Sequence, residues 1–258
     1  MSSPQDKQEK LPPTFGLKDV FTTINLMGGV IAILFCFQGN TRYASYAFLL
    51  GYIFGDALDG VVARATNTGN RFGAEFDAVS DYMAHNIAPG FILFVAYEPI
   101  NYWLAAFLAS ILIITGTIRH ARSSVVPWGF PVAYVGIPRT GSALILASYV
   151  NSLIFQEYAY AKWIGIPLII ILSIGHLLPI PVRTHKGRPV GLFVKVMIIG
   201  FFSTTLAAMA FYRVVVFDVV FFWIQGYVLA SWTVLYPEER KAFFKRYREW
   251  NMEIRKAR

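Results

Sequence analysis

The chain has 258 residues, of which 56% are hydrophobic and only 15% are charged, and its mean hydropathy is +0.50. A soluble domain usually carries about 25% charged residues, so this composition excludes an ordinary soluble enzyme and indicates an all-α integral membrane protein. The single cysteine, Cys36, excludes an internal disulfide, and the net charge of +8 favours either nucleic acid or anionic lipid as a partner.

The first 19 residues are polar and contain prolines, and they lack the apolar core and cleavage site of a signal peptide. Eight apolar stretches follow, each long enough to cross a hydrocarbon core about 30 Å thick as a helix. The predicted spans cover residues 20–37, 44–63, 73–97, 102–118, 140–156, 162–180, 193–212 and 215–235. The short segment "YEPIN" at 97–101 predicts a tight hairpin between antiparallel helices, and the weakest boundary lies near Arg213.

The basic residues predict the orientation of these spans. Most of the 23 Lys and Arg residues fall in the termini and in alternate loops, on one side of the predicted membrane. Because cytoplasmic loops are enriched in Lys and Arg, both termini should face the cytoplasm, which requires an even number of spans. We therefore predict a multi-pass protein of the cell membrane, with a cytoplasmic segment 1–19, a membrane domain 20–235 and a basic cytoplasmic tail 236–258.

The tail from Pro237 onward, "PEERKAFFKRYREWNMEIRKAR", alternates basic residues with Phe, Tyr and Trp. This pattern is typical of a helix that lies on an anionic membrane leaflet. Because the tail directly follows a predicted span, we expect membrane lipids and no nucleic acid as its partner.

The stretch 55–81 contains two pairs of acids close to apolar sequence. Asp56 and Asp59 are three residues apart, and Asp77 and Asp81 are four apart. On helices both spacings place the paired side chains on one face. The first pair ends the second span and the second pair begins the third, so all four carboxylates should meet at the cytoplasmic edge. Divalent cations, which prefer oxygen ligands, would relieve the repulsion between them.

Two other interpretations of the acids are open at this point. Intramembrane acids also serve as ion or proton relays, so an ion-coupled transporter is the main alternative. The second alternative is a structural set of salt bridges to Arg64 and Arg71, although two arginines would not need four acids as partners. An EF-hand is excluded, because its ligand spacing and glycine position are missing.

The full spacing matches a known signature. Asp56-x-x-Asp59-Gly60-x-x-Ala63-Arg64, eight residues, and then Gly73-x-x-x-Asp77-x-x-x-Asp81 resembles the motif of the CDP-alcohol phosphotransferases at every fixed position. Weaker similarity extends over about residues 20–190 and narrows to the membrane-embedded phosphatidylserine synthases and the archaetidylserine synthases. The segments that carry it are "FTTINLMGGVIAI" (21–33), "FGAEFDAVSDYMAHNIAPGFILF" (72–94), "RHARSS" (119–124), "VGIP" (135–138) and "LLPIPVRTHKG" (177–187).

The resemblance implies an enzyme that transfers the phosphatidyl or archaetidyl group of CDP-diacylglycerol or CDP-archaeol to an alcohol and releases CMP. It implies two divalent ions, Mg²⁺ or Mn²⁺, and a homodimer. Asp56, Asp59 and Asp77 would bind the metal, and Asp81 would be shared between the metal site and the role of general base. The residues expected to contact the CDP-lipid are Asn25, Gly60, Ala63, Arg64 and Gly73.

The acceptor is expected to be L-serine, with glycerol phosphate or inositol phosphate as alternatives. A carboxylate or phosphate on the acceptor needs cations, for which Arg119, Arg122 and Arg139 are candidates. His85 is a further candidate, because His85 and Asn86 stand where the bacterial serine enzymes usually have Phe and Gly.

Overall fold

A computed structural model describes residues 15–66, 70–184 and 191–256. The described part is almost entirely helical, which confirms the predicted all-α membrane fold. Its α-helices are α1 (Leu17–Phe37), α2 (Thr41–Gly51), α3 (Ala57–Thr66), α4 (Arg71–Tyr82), α5 (Ala88–Tyr97), α6 (Tyr102–Val125), α7 (Arg139–Tyr149), α8 (Leu153–Glu157), α9 (Ala159–Gly175), α10 (Leu192–Phe211), α11 (Val216–Val234) and α12 (Pro237–Lys256). The basic residues Lys7, Lys10, Lys186 and Arg188, used above for orientation, lie outside the described residues.

Several helices have the length and composition of membrane spans. Within the described ranges, the candidates of 18 residues or more are Leu17–Phe37, Thr41–Ala63, Tyr102–Val125 and Val194–Phe211, and the shorter apolar helices are Ala159–Gly175 and Val216–Ser231. The break expected near Arg213 lies between α10 and α11, and the hairpin expected at 97–101 lies between α5 and α6. The number of eight spans and the placement of the termini stay predictions.

The predicted fifth span, 140–156, is not one helix. The helix α7 has 11 residues and ends at Tyr149, and Ser152 then caps the short helix α8. At 1.5 Å per residue, α7 is about 16 Å long, which is too short to cross a bilayer unaided. Every residue from Ser142 to Tyr149 is buried. The apolar run therefore reflects burial inside the protein, which a sequence cannot distinguish from burial in lipid.

Helix α1 lies between the two helical segments that carry the acids. Gly28 faces α2, where an added Cβ would lie 2.6 Å from the Cα of Gly51. Gly29 faces the other side, where an added Cβ would lie 2.7 Å from the Cα of Ala84. Because neither position has room for a side chain, the two glycines allow α1 to touch both neighbours backbone to backbone.

Both acid-bearing segments contain a π-helical turn. Tyr52–Asp56 joins α2 to α3, and Met83–Ile87 joins α4 to α5, so each segment runs on as one helix with a local irregularity. Such turns insert an extra residue into a helix and are frequent at functional sites. Here the first turn ends at Asp56 and the second begins two residues after Asp81.

Two short strands, which the all-α prediction did not include, tie the later helices together. The strand β1 (Ala133–Val135) pairs antiparallel with β2 (Pro181–Arg183), with Tyr134 opposite Val182. The pair fixes the segment between α6 and α7 against the segment that follows α9. It thereby places the end of α6, which carries Arg119 and Arg122, close to the beginning of α7, which carries Arg139.

Candidate active site

The four aspartates converge at the end of the bundle where α1 begins. The carboxyl groups of Asp59 and Asp77 lie within hydrogen-bonding distance of each other, as do those of Asp56 and Asp81. Each pair joins one residue from the second predicted span to one from the third. The spacing of the acids predicted this convergence.

Helix α1 supplies polar partners to the cluster from one of its faces. Thr22 Oγ1 donates to Asp59 Oδ2 (3.3 Å), and Asn25 Nδ2 donates to Asp81 Oδ1 (2.9 Å). The Nζ atom of Lys18 lies 3.9 Å from Asp77 Oδ2. Residues 18, 22 and 25 follow the helical repeat, so they face the same neighbour. Of these three residues only Asn25 was predicted from the sequence, although the helical repeat would also have indicated Lys18 and Thr22.

The cluster is short of positive charge. Two unit charges 4 Å apart interact by about 4 kcal/mol at an effective dielectric constant of about 20, so four ionised carboxylates this close repel strongly. The ammonium group of Lys18 offsets only part of this repulsion. Oδ1 of Asp77 is buried and has no hydrogen-bond partner. A set of carboxylate oxygens with an unpartnered buried oxygen fits a hard divalent cation.

His85 adjoins the cluster from the second π-helical turn. Its Nδ1 atom lies 3.4 Å from Asp81 Oδ1 and 3.1 Å from Thr140 Oγ1, and its Nε2 atom is buried without a partner. The ligand atoms of Asp56, Asp81 and His85 lie within 4.8 Å of one another, so this group can hold a metal ion. The sequence analysis considered His85 only as a contact for the acceptor.

One of the three predicted arginines, Arg139, lies beside the acids, and a second, Arg119, lies near Arg139. The guanidinium group of Arg139, at the start of α7, interacts electrostatically with Asp81 and with Arg119. Arg119 Nη2 donates to the carbonyl of Val135 (3.2 Å). Each guanidinium keeps one buried nitrogen without a partner, Nη1 in Arg139 and Nε in Arg119. Two neighbouring cations with unused N–H groups form a suitable site for an anion.

The third arginine, Arg122, points away from this site. Its Nη2 atom donates to Asn251 Oδ1 (3.0 Å), and its guanidinium carbon lies 4.6 Å from the centre of the Trp250 ring. Both partners belong to α12. Arg122 therefore holds the C-terminal helix, which the predicted role in binding the acceptor did not anticipate.

Tyr134 was not identified from the sequence and lies close enough to Asp56 and Arg119 for electrostatic interaction. It belongs to β1, outside the predicted spans. Burial raises the pKa of its hydroxyl group, an effect that the nearby Arg119 opposes. Tyr134 therefore stays protonated at neutral pH and presents a neutral hydroxyl group near the cluster.

The sequence matches a known family over the region that contains this site. Residues 16–230 match the model of the CDP-alcohol phosphatidyltransferases. The chain belongs to this family. The matched region begins just before α1 and ends within α11, so it includes the acid cluster and leaves α12 outside.

Individual proteins that are similar to this chain have more specific names than the family does. A CDP-diacylglycerol--serine O-phosphatidyltransferase from Methanocaldococcus jannaschii is 32% identical over 133 residues, which cover 52% of this chain and 59% of the relative. A protein of the same name from Helicobacter pylori is 29% identical over 136 residues, covering 52% and 56%. An archaetidylserine synthase from Methanothermobacter thermautotrophicus is 26% identical over 169 residues, covering 64% and 71%. The chain thus matches a little more than half the length of the first two relatives.

The small residues of the family motif lie on the two acid-bearing helices. Gly60 and Ala63 are on α3, and the side chain of Arg64 lies outside the described residues. Gly73 is on α4, where an added Cβ would lie 2.7 Å from Asp19 Oδ1. Asp19 is a buried fifth carboxylate that the sequence analysis missed, and its Oδ1 atom has no hydrogen-bond partner. A side chain at position 73 would collide with this carboxylate unless Asp19 moved, and a glycine avoids the collision.

A buried histidine beside the arginines was also missed. His176 Nε2 lies 2.7 Å from Ser142 Oγ, and His176 Nδ1 lies 3.1 Å from Thr115 Oγ1. The imidazole ring bridges α6 and α7, the helices that carry Arg119 and Arg139. Since all three bridging groups are buried, their role is to fix these helices relative to each other.

Proposed function

We propose that this protein transfers the phosphatidyl or archaetidyl group of a CDP-linked lipid to the hydroxyl group of L-serine and releases CMP. The observation that carries the proposal is the meeting of four carboxylates beside Arg119 and Arg139. Membership of the CDP-alcohol phosphatidyltransferase family supports the CDP-lipid as donor. The names of the relatives support serine as the acceptor, and they include enzymes named for either type of lipid.

Asp56, Asp59, Asp77 and Asp81 would hold one or two divalent cations, with Mg²⁺ and Mn²⁺ as the candidates that suit oxygen ligands. When bound, such ions neutralise the pyrophosphate of the CDP-lipid and stabilise the departing CMP. Gly60, Ala63, Gly73 and Arg64 are the proposed contacts of the CDP-lipid. Asn25 was expected above to contact it as well, but it donates to Asp81, and we propose that it orients the base.

Asp81 would act as the general base. It takes the proton of the serine hydroxyl group, whose oxygen forms a bond to the lipid-bearing phosphorus. The bond between this phosphorus and the oxygen that bridges to CMP breaks, and CMP leaves with that oxygen. The hydrogen bond from Asn25 and the contact with His85 approach the same oxygen, Asp81 Oδ1. They fix the orientation of the carboxylate and leave its second oxygen for the proton.

Arg139 and Arg119 would bind the carboxylate of serine. Arg139 interacts with Asp81, so an acceptor held by its guanidinium would place a hydroxyl group near the base. The buried N–H groups of the two arginines that lack partners would then be paired by the substrate.

We also propose the membrane arrangement predicted above: eight spans, both termini and the active site at the cytoplasmic face of the cell membrane, and a homodimer. Labelling of single introduced cysteines in intact cells tests the topology. The mass of the protein in detergent, measured by light scattering, tests the dimer.

The transporter alternative has less support. It requires ionisable groups along a path through several spans. Asp218, an acid in the predicted span 215–235, accepts a hydrogen bond from the backbone N–H of Leu153 and so caps α8. This bond gives Asp218 a structural role at the start of that helix.

An acceptor screen tests the proposed reaction. The purified full-length protein is incubated with CDP-diacylglycerol or CDP-archaeol, Mg²⁺ or Mn²⁺, and labelled serine, glycerol phosphate or inositol phosphate. We expect labelled lipid and an equal amount of CMP with serine, and no product after chelation of the metal. No product with any of the three acceptors contradicts the proposal, and product with a polyol phosphate alone corrects the acceptor.

A further inference from the structure

The C-terminal helix α12 has two faces with different partners. Phe243 and Trp250 are buried, with exposed fractions of 0% and 1%. Their rings each lie 5.3 Å from the ring of Trp128, measured between centroids, and Trp250 Nε1 donates to the carbonyl of Val126 (2.7 Å). The aromatic face that the sequence predicted to lie on lipid therefore packs on the protein, against the segment that follows α6.

This packing connects α12 to the arginine beside the acids. Arg122 contacts Trp250 and Asn251, as described above, and lies one helical turn after Arg119. Arg246 Nε donates to the carbonyl of Trp128 (3.3 Å), in the segment that leads to β1. Because Arg119 donates to Val135 in β1, α12 supports both the helix and the strand that position its guanidinium group.

The opposite face of α12 is basic and exposed. Lys241, Lys245, Arg248 and Arg255 recur with the helical repeat and are all exposed, and Met252 lies among them, 54% exposed. We name these four cations the outer stripe. Within the described part of the chain, no carboxylate lies within ion-pair distance of any of them. The ion pair between Arg246 and Glu253 (2.6 Å) lies to one side of the stripe.

We propose that the outer stripe binds the headgroups of anionic lipids, so that α12 connects the membrane surface to the arginine side of the active site. The apolar helix α11 ends at Val234 and α12 begins at Pro237, so the stripe follows a helix suited to the membrane after only two residues. Its charge is complementary to an anionic leaflet, and each Lys or Arg near such a surface strengthens binding about fivefold. The effect on acceptor binding rests on the proposed function, whereas the lipid contact does not.

A fluorescent label on the stripe tests the lipid contact without measuring activity. The variant Met252→Cys is labelled with an environment-sensitive dye, and the native cysteine, Cys36, is buried in α1 and protected from the reagent. The full-length protein is reconstituted in phosphatidylcholine vesicles with and without phosphatidylglycerol. We expect phosphatidylglycerol to increase quenching of the dye by lipids that carry a quencher at the headgroup, and high salt to reverse the increase.

Two double variants provide the matched comparison. Arg248→Gln with Arg255→Gln removes two charges of the stripe, and Lys162→Gln with Arg213→Gln removes two charges at the other end of the bundle. We expect the first pair to raise the phosphatidylglycerol content needed for half-maximal quenching at least about fivefold. We expect the second pair to leave that content unchanged.

Equal responses of the two pairs overturn the proposal, as does quenching that responds to inorganic phosphate and not to phosphatidylglycerol. A kinetic measurement at a fixed fraction of CDP-lipid then tests the connection to the site. Phosphatidylglycerol should lower the KM for serine in the parent protein, and less so in the stripe variant. Quenching without any transferase activity would contradict the proposed function and leave the lipid contact supported.

Discussion

The two ends of the helical bundle both contain buried polar groups, but they satisfy them differently. At the end opposite the aspartates, Asn151 accepts from Thr41 Oγ1 (3.1 Å) and donates to Ser45 Oγ (2.8 Å) and to the carbonyl of Ala147 (2.9 Å). We name these residues the far-end network, together with Asp218, which accepts a hydrogen bond from Leu153 N–H at the start of α8. The network joins α2 to the α7–α8 connection through groups that have partners.

At the aspartate end, buried polar atoms lack partners. Among the described residues, most of the unpaired buried side-chain atoms lie on residues of the site or beside it, namely Asp19, Asn25, Asp77, Ser80, His85, Asn86, Arg119 and Arg139, whereas Ser173 and Thr205 lie elsewhere. An unpaired buried polar group costs stability, so a concentration of them indicates a place where something else binds. The far-end network therefore stabilises the fold, whereas the aspartate end is arranged for ligands.

The largest expected effect comes from removing one carboxylate. Asp77→Asn keeps the shape of the side chain and removes a charge that metal binding requires. We expect transferase activity to fall by at least about a thousandfold, while the midpoint of thermal unfolding in the absence of metal stays the same or rises because repulsion decreases. Glu98→Gln is the control, because Glu98 is exposed in the hairpin after α5. Activity of Asp77→Asn near the parent level would refute the assignment of the cluster.

The next effect concerns the proposed acceptor site. Arg139→Gln removes a cation that would bind the serine carboxylate. Since a hydrogen bond to a charged group contributes about 1.5–3 kcal/mol, we expect the KM for serine to rise about 10- to 100-fold. The KM for the CDP-lipid should change little. The matched control is Arg213→Gln, and an equal rise in both KM values would show that Arg139 does not act on the acceptor alone.

A smaller effect on activity is expected when the base loses its hydrogen bond. Asn25→Leu leaves Asp81 without the donor on α1, and we expect kcat to fall about tenfold with little change in either KM. The pH dependence of kcat should also change, because Asn25 no longer stabilises the ionised form of the base. An unchanged pH profile with a large rise in KM would indicate that Asn25 contacts a substrate instead.

The same substitution in the far-end network should have the opposite result. Asn151→Leu leaves the hydroxyl group of Thr41 without its acceptor and removes the donor to Ser45 Oγ, which costs about 1–3 kcal/mol of folding stability. We therefore expect a lower midpoint of thermal unfolding in detergent and an unchanged kcat per folded molecule. If Asn151→Leu lowers kcat as much as Asn25→Leu does, the distinction between the two ends is wrong.

Local spacing made much of the site predictable. The intervals between Asp56 and Asp59 and between Asp77 and Asp81 lie within one or two helical turns, and a short connection forces their helices to be neighbours. The convergence of the four carboxylates follows from these two facts. The hairpin between α5 and α6 was predictable for the same reason, since only four residues connect the helices.

Contacts between segments distant in sequence were not predictable in this way. Lys18, Thr22 and Asp19 join the cluster because Gly28 and Gly29 let α1 lie against both acid-bearing segments. Arg119 and Arg122 are one turn apart on α6, yet Arg119 lies near Arg139 and Arg122 contacts Trp250. The predicted span at 140–156 is divided into two helices, because α7 is surrounded by protein and ends at Tyr149, before the short helix α8 begins.

Composition and helical periodicity, which act over short stretches of chain, are enough to predict the membrane class, the pairing of the acids and the family signature. Contacts between distant segments set three other features: Arg139 lies beside Asp81, His85 adjoins the cluster, and the aromatic face of α12 packs on Trp128. These features depend on which helices, distant in sequence, pack against each other. The spacing of residues within one helix does not show which other helix it will contact.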